Sequence, residues 1–315
     1  IEIRRSIRTI SLGPLFGLSF VASLTASLLR LATRSDVVLA GQAPWEAVAT
    51  GMLRKITGKP TAVRLANAGP FGDLRQLQHA TGRGILKWLV RSNGVFLALS
   101  DQSRDELYEF GCPQDKVRQL TIGVDAELVA PPAKANDQRA RTVLLVGRLC
   151  AQKDPLSLLR SWQRVNTDRQ YRLLIAGDGD LAPSMREMII DLKLHNVELL
   201  GACDDLAHLY HQAGMFLLPS LSEGCSNALL EAMASGLCPV VTNIGGNRDV
   251  IIDGVNGRTF EAQDDQQLGD LLSELLADKE TRERLATAAR EHVVAQHAAP
   301  EVARRYLTEL LRMVE

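Results

Sequence analysis

Arg141-Thr142-Val143-Leu144-Leu145-Val146-Gly147-Arg148-Leu149 is the stretch from which the architecture can be read. Thr142–Val146 has the length of a strand and no polar alternation, as strands buried on both faces of a parallel sheet do. It stops at Gly147, and Pro155–Val165 follows with helical character, proline standing near the first turn where it is tolerated. The same unit recurs downstream. Tyr171–Ala176 is a strand ending in Gly177-Asp178-Gly179, and Val197–Leu200, Met215–Leu218 and Pro239–Thr242 continue the series, with helices at about Leu206–Gln212 and Ala228–Ser235. Strands that end in glycine or polar residues predict an open parallel sheet whose ligands gather at the carboxyl ends.

Upstream, strands are predicted at Val37–Ala40, Thr61–Leu65 and Val95–Ser100, and helices at Trp45–Ile56, Leu86–Ser92 and Gln102–Phe110, the last closed by Gly111 with Pro113 just beyond. Between the two series, Pro131-Pro132-Ala133-Lys134-Ala135-Asn136-Asp137 suits a linker. At 315 residues the chain exceeds the usual size of one hydrophobic core. The expected organisation is therefore two α/β domains, 1–135 and 136–298, and a closing segment, 299–315, whose helix at about Glu301–Met313 is expected to pack back on the first domain.

Lys plus Arg total 36 against 37 for Asp plus Glu, a net charge of −1 that gives no reason to expect nucleic acid as a partner. The five cysteines are widely spaced with no metal-ligand rhythm and read as reduced thiols of a cytosolic protein. No charged residue lies between Arg8 and Arg30, and Arg4, Arg5 and Arg8 precede that stretch as in a signal or anchor segment. Gly13, Pro14 and Gly17 break its first part and serines dilute the rest, so it reads as a buried helix. Leu24–Arg34 is also able to rest on a membrane surface, which would put the protein at the inner face of the membrane.

The most informative chemistry lies in Glu223-Gly224-Cys225-Ser226-Asn227-Ala228-Leu229-Leu230-Glu231, just after a predicted strand and the loop residues Pro219-Ser220. Ser226 or Asn227 can cap the following helix, leaving its first N–H groups free for phosphate or sugar oxygens. Glu231, four residues after Asn227, can accept both hydroxyls of a ribose, and Glu223 those of a sugar. Gly224 lets a ligand approach the backbone. On spacing alone, a helix cap with two solvated glutamates is an equal reading. A second cluster, Gly147-Arg148-Leu149-Cys150-Ala151-Gln152-Lys153-Asp154-Pro155, sets two cations beside a helix start, as a diphosphate with growing negative charge requires.

Gly147-Arg148-Leu149 with Lys153, Gly177-Asp178-Gly179, Pro219-Ser220 with Glu223, Glu231-Ala232-Met233-Ala234-Ser235-Gly236, and Gly245-Gly246 with Asp253-Gly254 and Asn256-Gly257 together resemble the ordered signature of family-four glycosyltransferases across about Arg141–Phe260. The resemblance implies two Rossmann-like domains (GT-B), a UDP- or GDP-linked sugar donor, transfer to a glycan or lipid-linked acceptor with retention of configuration, and no metal. By position it implies that Arg148 and Lys153 hold the diphosphate, Glu223 the donor sugar and Glu231 the ribose. The amides of Gly224, Cys225, Ser226 and Asn227 would complete the cradle.

The first half matches less well. Asp36-Val37-Val38-Leu39-Ala40 and Thr121-Ile122-Gly123-Val124-Asp125 resemble family segments, but the family's opening strand and glycine-rich loop are missing, so the N-terminal domain is expected to be incomplete. Arg64-Leu65-Ala66-Asn67-Ala68-Gly69-Pro70 holds no histidine where many relatives carry one, and reads as a plain turn in preference to a site formed with Asp73. Asp178-Gly179-Asp180 reads as a turn, not a metal site, His208 and His211 as surface residues, and Asp204-Asp205 as a helix start. Two competing functions stay open: a nucleotide-sugar-binding remnant without turnover, and a glycoside hydrolase using Glu223 and Glu231.

Overall fold

Parallel pairing joins every strand to its neighbours. In the computed structural model, which describes residues 14–41, 44–132, 137–165 and 170–314, β1 (Val38–Ala40), β2 (Thr61–Leu65), β3 (Val95–Ala98) and β4 (Val117–Gln119) form one sheet in sequential order. The other contains β5 (Thr142–Val146), β6 (Arg172–Ala176), β7 (Val197–Gly201), β8 (Met215–Leu218), β9 (Cys238–Thr242) and β10 (Arg258–Phe260), in the order β10-β9-β8-β5-β6-β7. The α/β architecture with two parallel sheets expected from the sequence is the one observed. β4 and β10 were not anticipated, because three-residue strands carrying Arg118, Gln119 or Arg258 offer no apolar run.

Contacts divide the chain into two compact units, Ile1–Thr121 with Ala303–Glu315, and Ile122–Val302. This division falls upstream of the proline-containing stretch, because the chain from Val124 onward is already tied into the second unit. Val124 N donates to His297 O at 2.8 Å, and Ser235 Oγ donates to Val129 O at 2.7 Å. Residues 133–136 of the expected linker lie outside the described residues.

β5 and β8 are buried along their whole length. Helix Pro155–Val165 lays Leu158, Leu159 and Trp162 against this sheet, and helix Asp265–Ala277 adds Leu268, Leu272 and Leu275, the spacing of an amphipathic helix facing a core. Each fully buried leucine contributes about 2 kcal/mol of transfer free energy. Arg282, buried, donates to the carbonyls of Leu275 and Leu276 and so satisfies the open C-terminal end of that helix.

In the first unit, helix Pro14–Ala32 packs on helix Trp45–Thr57, with Val21, Leu24 and Leu28 joining the core. Contrary to expectation, Gly17 does not interrupt it, because it makes room for an aromatic ring. A Cβ at 17 would lie 2.6 Å from the Trp45 ring. Arg4, Arg5, Arg8 and Gly13 lie outside the described residues. Among the described residues no helix is long and apolar enough to cross a membrane.

Candidate functional site

The order of the second sheet reverses beside β5: the chain builds β6 and β7 on one side, then returns to build β8, β9 and β10 on the other. β5 and β8 are therefore neighbours, with Val143 opposite Met215 and Leu144 opposite Phe216. In an open parallel sheet, the loops that leave such a pair diverge and open a crevice at the strand carboxyl ends. The loop after β5 carries Arg148 and Lys153, and the loop after β8 carries Glu223.

The two loops are bonded to each other. Gln152 accepts from Leu221 N at 2.8 Å through its carbonyl and donates from Nε2 to Ser222 O at 2.9 Å. Beside it, Lys153 Nζ forms an ion pair with Glu223 Oε1, the two side chains being 16% and 6% exposed. A carboxylate so enclosed needs a cation or donors to offset its lost hydration. Asp154, in the left-handed region at φ 41°, turns the chain from Lys153 into helix Pro155–Val165, and Ser157 Oγ donates to its Oδ2 at 2.6 Å.

Close backbone packing sets the height of these loops. A Cβ on Gly177 would lie 1.8 Å from Gly147 O, and one on Gly179 would lie 2.4 Å from Leu149 O, so the loop after β6 seats directly against the one after β5. Gly246 plays the same part under the other loop, where a Cβ would meet Gly224 O at 2.4 Å and Glu223 O at 2.5 Å. Ser226 caps helix Asn227–Ala234, its side chain accepting from Leu229 N at 3.4 Å. Cys225 is buried and Asn227 exposed at the helix start.

Glu231 projects one turn into that helix, and its Oε2 accepts from the hydroxyl of Tyr210 at 2.8 Å. Tyr210 is fully buried. Burial, then the nearby Glu231 charge, pushes its hydroxyl well above the ordinary tyrosine range, so it remains a proton donor. Arg148 is exposed and, among the described residues, has no carboxylate partner. The structure thus brings Lys153 and Glu223 into contact, sets Arg148 on the same loop as Lys153, and gives Glu231 a separate partner. Gln152 and Tyr210 were not identified from the sequence. A glutamine in a loop carries no pattern, and a tyrosine within the short helix Leu206–Gln212 is not distinguished by spacing from an ordinary core residue.

The remaining motifs resolve locally. Asp178 Oδ1 accepts from Gly179 N at 2.8 Å within the turn. Asp205 caps helix Leu206–Gln212. His208 Nε2 bonds Gln212 while His211 Nε2 bonds Ala130 O, so the two rings have different partners. Among the described residues no group of three or more His, Cys, Asp or Glu side chains is arranged to hold a metal ion. In the first unit, Asp73 accepts from the amides of Ala66 and Asn67, and Glu106 accepts from Gly69 N at 2.6 Å. The turn after β2 is thus held by two carboxyls, Asp73 from its own loop and Glu106 from helix Asp101–Glu109, both pushed upward chiefly by burial.

Residues 130–292 match the family model of the glycosyl transferases group 1. The D-inositol 3-phosphate glycosyltransferase of Corynebacterium diphtheriae is 26% identical over 93% of this chain and 77% of its own length. The UDP-Gal:alpha-D-GlcNAc-diphosphoundecaprenol alpha-1,3-galactosyltransferase of Escherichia coli is 29% identical over 73% of this chain and 65% of its own. Anabaena HepE, solved in complex with UDP-glucose, shares the fold with a TM-score of 0.81 at 18% identity, covering 94% of this chain and 84% of that one. Since the matched segment takes in more than half of the sequence and the two parallel sheets match structures of the GT-B type, the chain belongs to the group 1 glycosyltransferase family.

Proposed function

We propose that the protein moves a sugar from a nucleotide-diphosphate donor, UDP- or GDP-linked, to a glycan or lipid-linked acceptor with retention of configuration and without a metal. The observation that carries this reading is the meeting of Lys153 and Glu223 where the sheet order reverses. A cation and a carboxylate held a few ångströms apart suit the two ends of one ligand, the diphosphate and the sugar hydroxyls.

Lys153 and the unpaired Arg148 would neutralise the diphosphate as its charge grows, with the amides of Gly224 through Asn227 at the helix start. Glu223 would accept from the sugar hydroxyls and Glu231 from those of the ribose. For retention, the acceptor hydroxyl attacks the anomeric carbon on the face from which the phosphate departs. The carbon–oxygen bond to phosphate breaks, the new glycosidic bond forms, and the leaving phosphate takes the acceptor proton. The donor named for the Escherichia coli relative and the UDP-glucose bound to Anabaena HepE support a UDP-sugar. The diphosphoundecaprenol in the former's name supports a lipid-linked acceptor.

Calorimetric titration with UDP, GDP and their sugars, repeated with Glu231→Ala and Arg148→Ala, tests the site. Each variant is expected to weaken binding by about tenfold, the worth of one charge-assisted hydrogen bond. Unchanged affinity in both would defeat the assignment. Donor hydrolysis or transfer measured alongside separates an enzyme from a protein that only binds.

A further inference from the structure

Charge balances over the whole chain but not over one segment of the first unit. From Ala47 to Ser100 the single carboxylate is Asp73, which is buried and taken up by backbone amides. Opposing it are Arg54, Lys55 and Lys59 at the end of helix Trp45–Thr57, and Arg83, Lys87 and Arg91 along helix Arg83–Arg91. No acid within either helix end offsets them.

Helix Arg83–Arg91 buries Leu86, Leu89 and Val90. It turns Ile85 and Trp88 outward, 67% and 54% exposed, and residues three apart are neighbours on a helix surface. Lys55 Nζ stands 4.8 Å from the centre of the Trp88 ring, which links the two helix ends into one face. The next residue, Ile56, is also exposed. Large apolar side chains ringed by cations lose free energy in water, and they regain it in a headgroup layer where the ring is half immersed and the cations meet phosphates. Helix Pro14–Ala32 is a poorer candidate, because Leu24 and Leu28 are packed into the core.

We propose that the face made by Trp88, Ile85 and the flanking Lys55 and Arg91 docks on a membrane surface rich in anionic lipid. The proposal stands apart from the transfer reaction, since its test includes neither donor nor acceptor. The whole chain is mixed with vesicles of phosphatidylcholine, with or without about a third of phosphatidylglycerol, and followed by co-sedimentation and tryptophan emission. Binding to the anionic vesicles is expected to exceed that to the neutral ones by at least about tenfold and to fall at high salt. A blue shift of emission should be lost in Trp88→Phe. Ile85→Ser with Trp88→Ser is expected to cut binding about tenfold, and Lys55→Ser with Arg91→Ser to cut it by about fivefold for each charge. All four positions are exposed, and thermal unfolding checks that each variant folds. Equal binding to neutral vesicles, unchanged binding in both double variants, or capture by heparin with no vesicle binding would each overturn the proposal.

Discussion

Tyr210 donates its hydroxyl to Glu231 Oε2 at 2.8 Å, from a position with no solvent access. Phe216, with its ring centre 6.4 Å away, packs against the tyrosine ring and helps fix it. One carboxylate oxygen is therefore already engaged, and the carboxylate is oriented before any ligand arrives. Tyr210→Phe is expected to leave the ring packing intact and weaken UDP binding by about tenfold, the worth of one hydrogen bond to a charged group. If Glu231 serves the ribose, the loss should shrink for 2′-deoxy-UDP, which lacks one of the hydroxyls it would accept. Equal losses for the two nucleotides would remove Tyr210 from ribose recognition.

The Lys153–Glu223 pair yields a prediction about stability as well as affinity. Lys153→Ala strands a carboxylate whose side chain is only 6% exposed. The expected cost is about 3 kcal/mol, the lower end of the range for breaking a buried pair because Lys153 itself is partly open to water. Adding Glu223→Gln should recover much of that stability, since the uncompensated charge is then gone, while transfer stays low. Urea unfolding and an activity assay on both variants check this. A double variant no more stable than Lys153→Ala would mean that the pair is not what holds the loop.

Much of the second unit was legible because its signals are local. Thr142–Val146 and Met215–Leu218 appear at the boundaries the residue pattern gave them, since an uninterrupted apolar run between turn residues leaves little room for another reading, and helix Leu206–Gln212 starts where Asp205 caps it. That Lys153 and Glu223 face each other depends on β5 and β8 being neighbours, a matter of sheet order that spacing along the chain does not encode. Gln152 and Tyr210 were invisible for the same reason: each acts on a partner far away in sequence. Gly17 misled because glycine weakens a helix in isolation, whereas here the Trp45 ring requires the space.

Two glycines separate close packing from backbone strain. At Gly246 a new Cβ would fall within 2.5 Å of the carbonyls of Gly224 and Glu223, both rigid backbone atoms. Gly246→Ala is expected to lift that loop, destabilise the protein by about 2 kcal/mol and weaken nucleotide binding at least about tenfold. Gly254, at φ 73°, has open space around its Cβ position. Gly254→Ala should cost only about 1 kcal/mol of left-handed strain and leave binding unchanged. Matching effects of the two substitutions on nucleotide affinity would sever the link between Gly246 and the site.

Asp73 sets burial against hydrogen bonding in the first unit. Burial raises its pKa above the ordinary 3.8, while the amides of Ala66 and Asn67 pull the other way and only partly cancel it. Glu46 adds to the rise, and Glu106, itself raised by burial, lies close enough to feel the Asp73 charge. Because the folded pKa exceeds the unfolded one, the stability tied to Asp73 is complete below the unfolded value and is lost as pH climbs through the folded value. Asp73→Asn has no charge to lose. The stability of the wild type relative to this variant should therefore decline as pH rises above the ordinary carboxyl value of 3.8, as read from urea unfolding at several pH values. A difference that grew with pH would mean that the two amides outweigh burial and that the turn after β2 is built around a carboxylate anion.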